Sequence, residues 1–163
     1  MKSIPLESKS IDIITSSHAL EPNGNNLSDL LKELFRVAKK KLILIEPSYE
    51  LNSAQGKKRM DRLGYIKNIS STVKNLGGHL VEMIPMKTQI NALNPSVCYI
   101  IQPPKNLYKK KNNKITFCVP GSNLPLKKYN EFYISKDTGL AFPIFKKIPI
   151  IKEESSLLIS GNF

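Results

Sequence analysis

The chain has 163 residues, 40% of them hydrophobic, and a formal net charge of +12, so it can fill one ordinary domain, or a small domain with an appendage. No apolar run approaches a membrane span and no signal-peptide core opens the sequence, which predicts a cytoplasmic protein with no membrane role. Two cysteines, Cys98 and Cys118, are too few for a disulfide framework.

The charge excess is almost wholly lysine, since Arg36, Arg59 and Arg62 are the only arginines. Lysine is a solvated point charge, whereas bidentate phosphate and base recognition favours arginine. A basic nucleic-acid-associated protein is therefore kept as a reading and is not favoured.

Residues 1–10 are polar and lead into a first strand. Ile11, Ile13 and Ile14 form a short β-branched run, the pattern of a strand buried on both faces. Ser16, Ser17 and His18 follow where that strand ends. Asn26 is placed as an N-cap, with Asp29 in the first turn of the helix. Leu27, Leu30, Leu31, Leu34, Phe35 and Ala38 recur at helical spacing, and Lys39, Lys40 and Lys41 close the helix at its negative end. Leu42–Ile45 reads as a second apolar strand, stopped by Glu46 and Pro47. Two buried strands joined by a helix predict a right-handed parallel crossover. Ligands of such sheets sit outside the carboxyl ends of the strands. That rule gathers Ser16, Ser17, His18, Glu21 and Glu46 on one rim as the candidate site.

Residues 56–76 are predicted as one helix with a stripe of Met60, Leu63, Ile66, Ile69, Val73 and Leu76, and a solvated basic face. Gly64 inside it marks close packing, and Gly77 with Gly78 fits a C-cap. His79–Met83 and Val97–Gln102 read as strands. The segment between them is too short for a crossover helix, so the pair should be antiparallel. Asp12 and His79 sit away from the rim and are read as structural, and Cys98 as a small buried hydrophobe. Residues 105–114 are a basic linker. From Ile115 short apolar pieces alternate with Pro, Gly and Asn, the pattern of a small β module. Its expected core is Phe117, Leu124, Leu126, Phe132, Leu140, Phe142, Ile144, Ile148 and Ile150.

Two stretches carry a resemblance. IPLESKSIDIITSSHALE followed by LLKELFRVAKKKLILIEP, over residues 4–104, resembles the C-terminal half of a class I S-adenosylmethionine-dependent methyltransferase of the type 11-like kind. In that family an aspartate opens the fourth strand, a helix ending in an RV pair leads to the fifth, and the sheet finishes in an antiparallel hairpin. The resemblance implies an α/β fold with a partial Rossmann-like sheet (strand, helix, strand, helix, hairpin) over residues 1–104. It implies methyl transfer to an unidentified acceptor, with His18, Glu21 and Glu46 as catalytic candidates. Ser16, Ser17 and His18 would face S-adenosylmethionine. The family's Gly-rich loop and acidic ribose ligand are not found in the sequence, and residues 1–10 leave no room for them. The expected consequences are weak cofactor binding by this chain alone and inactivity without a complementing half.

In the family, the strand equivalent to Ile11–Thr15 lies in mid-sheet. Its open edge predicts association with such a half, or self-association. FCVPGSNLPL and YISKDTGLAFPIFKKIPIIKEESSLL, within residues 115–163, resemble the small zinc-ribbon-like module that activates methyltransferases. Four ligands in two pairs are needed for zinc, and with Gly121, Ser135 and Thr138 beside Cys118 the module is expected to be β-rich and metal-free. A non-catalytic module that activates or scaffolds a methyltransferase is thus the main alternative to an enzyme.

Overall fold

The computed structural model describes residues 3–88, 91–105 and 115–160. The chain is mixed α/β and divides into two compact units, Ile11–Tyr108 and Met1–Ser10 together with Lys109–Phe163. Most of the expected basic linker lies outside the described residues.

The larger unit holds a four-stranded sheet of β1 (Ile11–Ser17), β2 (Ala38–Pro47), β3 (His79–Pro85) and β4 (Ser96–Gln102), in the order β1-β2-β4-β3. β1 and β2 are parallel, as a strand–helix–strand reading requires, and β3 and β4 form the antiparallel pair. β2 is also antiparallel to β4, so β1, β2 and β3 all point their carboxyl ends at one rim. Register and alternation put Ile14, Leu42, Leu44, Glu46, Val97, Tyr99 and Ile101 on one face. Helices α1 (Leu27–Val37) and α3 (Ile69–Asn75) accompany that face, and Leu27, Leu30, Leu31, Leu34, Phe35, Ile69 and Val73 are buried. The apolar stripe of α1 is thus the one its spacing predicts through Phe35, whereas Ala38, its last expected member, opens β2.

Several expectations give way. β1, whose expected open edge is the outer edge of the sheet, is not buried on both faces; Ile13 is 50% exposed, because it lies on the face opposite Ile14. Cys98 belongs to that same face and is half-buried, not enclosed. α1 stops at Val37, and the three lysines lie in β2, where Lys39 and Lys40 pair with Asp12 across the strands. The expected helix over 56–76 is two helices, α2 (Ala54–Arg62) and α3, separated at Gly64. Gly64 has φ +64° and open space where a Cβ would stand, so it is a left-handed stop and not a packing contact. Leu63 is accordingly exposed, whereas Met60 and Ile66 remain buried. Gly77 and Gly78 do cap α3, with N–H bonds to Lys74 O and Val73 O.

The smaller unit is β-rich: β5 (Lys127–Tyr129), β6 (Phe132–Ile134), β7 (Leu140–Phe145), β8 (Ile148–Pro149) and β9 (Leu157–Leu158), with β6, β8 and β9 all pairing β7. Its core is Val119, Leu126 and Phe142, against which Phe117, Tyr133, Leu140 and Ile151 pack. Phe117 and Tyr133 meet edge to face at 5.1 Å. Leu124 and Ile148, expected inside, are exposed: Leu124 precedes the bridge at Pro125, and Ile148 opens the two-residue strand β8 opposite Phe145, itself exposed. The amino-terminal residues complete this unit. Leu6 bridges Phe117, Cys118 N–H donates to Pro5 O at 3.0 Å, and Gly121 N–H donates to Ser3 Oγ at 3.2 Å.

Candidate functional site

β1 ends in Ser16 and Ser17, and alternation sends their side chains to opposite faces. Ser16 turns toward the helix-covered face and donates to Glu46 Oε1 at 3.1 Å. Ser17 is exposed on the other. His18 ends the strand in the left-handed region, φ 52°, while its N–H continues the ladder to Ile45 O at 2.9 Å. A non-glycine residue there costs energy and persists only where its surroundings hold it.

The hold is visible in the loop that follows. Ile66 N–H donates to Glu21 O and Gly24 N–H to Gly64 O, both at 3.0 Å. A Cβ on Gly24 would stand 2.5 Å from Gly64 O and 2.6 Å from Tyr65 O, so only glycine lets the two backbones approach this closely. The pinned loop sets Glu21 against His18, with 2.8 Å between Oε2 and Nδ1. A carboxylate only accepts, so Nδ1 carries the proton, and in the neutral imidazole Nε2 presents its lone pair. Ser96 Oγ–H, from the start of β4, donates to that Nε2 at 3.1 Å.

Glu21, His18 and Ser96 therefore form one chain of hydrogen bonds. It opens on a cleft of about 230 Å³ lined by His18, Ile45, Met86, Thr88, Asn91, Asn94 and Ser96 among the described residues. The cleft lies at the shared carboxyl rim of β1, β2 and β3. It is sized for a side chain or a small polar head group. An imidazole oriented on one nitrogen by a carboxylate and free to take a proton on the other is the working part of a general base.

Glu46 sits behind this cleft rather than in it. Its side chain is fully buried, its Oε1 accepts from Ser16 Oγ and from Leu20 N–H at 3.2 Å, and its Oε2 has no hydrogen-bond partner of good geometry. Burial pushes its pKa above the ordinary carboxylate value; the Leu20 N–H, Ser16, His18 and the Glu21 N–H oppose the rise only in part. The folded protein therefore keeps this proton at a pH where the unfolded chain has lost it. Stability contributed by Glu46 is present below about pH 4.5 and declines as pH rises from there through the raised value. Glu46→Gln keeps both bonds to Oε1 and removes the titration. Its melting temperature should vary less between pH 4.5 and neutrality than that of the parent protein. An unchanged slope would place the titration elsewhere.

Of the residues predicted for the site, His18 and Glu21 are brought together at the cleft. Ser16 and Glu46 are joined to each other beneath it, and Ser17 stands apart. Ser96, Thr88, Asn91 and Asn94 are additions. Their signal was the rim rule itself: a strand parallel to β1 and β2 must deliver its following loop to the same end. In the smaller unit, Cys118 and Ser135 are fully buried, and no three His, Cys, Asp or Glu side chains converge among the described residues. Nor does any described helix have the length and apolarity to cross a membrane. No family model matches the chain, and no match is found among curated proteins or solved structures.

Proposed function

We propose that the α/β unit is the acceptor side of an S-adenosylmethionine-dependent methyltransferase, with His18 as the base that relieves the acceptor of its proton. The observation that carries this reading is the Glu21–His18–Ser96 chain opening on a cleft at the carboxyl rim. The strand order β1-β2-β4-β3, with a parallel pair followed by an antiparallel hairpin, agrees with the Rossmann-like half that the sequence resembles. An acceptor hydroxyl or amine in the cleft would replace Ser96 as donor to Nε2, and Glu21 would stabilise the imidazolium that forms. Glu46 holds Leu20 and β1 in place behind it.

The residues present do not by themselves make a cofactor site. Ser16 Oγ is committed to Glu46, which leaves Ser17 and His18 as rim contacts, and the sequence offers no Gly-rich loop. The main cofactor contacts belong, in this reading, to strands added at the outer edge of β1. Titration of the labelled chain with S-adenosylhomocysteine tests it: backbone shifts should centre on Ser17, His18 and Ser96 and saturate only at millimolar ligand. Micromolar affinity would remove the need for added strands, and shifts centred elsewhere would remove the site.

Strands of acidic character would suit this edge better than a second copy of the chain, since the charge of +12 opposes close pairing of two copies. Without that complement, β1 pairs weakly with a second copy at high concentration. Ile13 is half exposed, so Ile13→Lys should leave the melting temperature nearly unchanged and weaken this pairing about tenfold. Light scattering checks it, and a parent chain monomeric at millimolar concentration would refute the open edge.

A further inference from the structure

We propose a second site, for a phosphate monoester, in a cavity of about 320 Å³ on the flank of α2 lined by Gln55, Lys58, Arg59, Arg62 and Leu93. The four polar residues fall at positions i, i+3, i+4 and i+7 of one helix and so share a face. The facing wall is tied down. Asn52 is buried against Gly56, and its Nδ2 donates to Leu93 O at 3.0 Å, fixing Leu93 opposite the helix.

Three cations converge there without a carboxylate to answer them. Among the described residues Lys58, Arg59 and Arg62 form no ion pair, and Arg59 Nη1 is closed off from solvent with no acceptor in the protein. Arg59 is steadied by the Tyr65 ring, 5.6 Å from its guanidinium carbon. Leaving a shielded guanidinium N–H unmet is costly, and an anion seated in the cavity would offset the charge.

The choice of side chain narrows the anion. In a chain whose cations are overwhelmingly lysine, two of the three arginines line this cavity. The third, Arg36, is taken up by a two-pronged bond to Glu33, with both contacts at 2.8 Å. Paired guanidinium forks with an ammonium suit the tetrahedral dianion of a phosphate better than a single carboxylate. The volume exceeds that of the phosphate alone and leaves room for part of the group that carries it.

Calorimetry on the full chain with inorganic phosphate, adenosine 5′-monophosphate and adenosine tests the proposal. Both phosphate-bearing probes should bind and adenosine should not. Arg62→Gln and Lys58→Gln, each at an exposed position and so harmless to the fold, should each weaken binding about tenfold. Equal affinity for the two phosphates would mark a site for the free ion; tighter binding of the nucleotide would mean that the cavity also holds its organic part. Binding of adenosine alone, affinity unchanged in both variants, or binding seen only with RNA would each overturn the proposal.

Discussion

In a preparation supplied with the completing strands and S-adenosylmethionine, His18→Gln is expected to lower the rate of methyl transfer by about 10²–10⁴-fold. Glutamine keeps a side-chain amide near both partners but cannot take a proton. The loss should therefore fall on kcat, with KM nearly unchanged, and the rise of rate with pH that a neutral imidazole imposes should vanish. Glu21→Gln is the informative companion. It retains the bond to Nδ1 and loses the carboxylate that favours the imidazolium, so its effect should be smaller and of the same kind. Ser96→Ala should cost least, because Ser96 gives way to the acceptor when the cleft is filled. Transfer of a labelled methyl group measures all three. A His18→Gln variant with its pH profile intact would mean that the histidine only ends the strand.

The largest loss of stability should come from Phe35→Ala. The Phe35 side chain is 1% exposed, and its ring lies directly on the backbone where α3 gives way to β3: a Cβ on Gly78 would stand 2.6 Å from Phe35 Cζ. Val73 closes the same space, its Cγ1 lying 3.1 Å from that point. Truncation leaves a hole lined by α1, α3 and a strand end, none of which can collapse without breaking the cap at Gly77 and Gly78. A cost of about 3–5 kcal/mol is expected, against a total stability of about 5–15 kcal/mol for an ordinary domain. Urea unfolding should show a lower midpoint with an unchanged slope. A loss below about 1 kcal/mol would mean that the ring is not the keystone of this contact.

Much of the larger unit could be read from spacing. Leu27, Leu30, Leu31, Leu34 and Phe35 mark α1, and the apolar runs on either side of it mark a parallel pair. The break between α2 and α3 was hidden because Met60, Leu63, Ile66, Ile69 and Val73 step by three or four residues across it; only Gly64 carried the warning. At the site, His18 and Glu21 were legible because the rim rule needs only strand ends. The same rule could place Ser96 at the rim, but no local pattern ties it to a histidine far back in the chain. Glu46 was misplaced for a different reason. Its position at the end of a strand suggests the rim, whereas the pleat turns it inward beneath Leu20. The partnership of residues 3–7 with Phe117 and Cys118 runs through backbone bonds, which leave no mark on side-chain pattern.

That partnership makes the larger unit an insertion within the smaller one. Leu6 and Phe117 close a loop of roughly a hundred residues, a closure whose entropy grows only slowly with length. The sheet reduces even this cost. β4 runs against β1 and β2, so Ile11 and Gln102 arrive at the same end of the sheet, the one remote from His18. During synthesis residues 3–7 must wait, without these partners, until Phe117 and Cys118 have emerged, while the α/β unit folds between them. A substitution that weakens the pairing of residues 3–7 would thus burden the part of the protein that folds last.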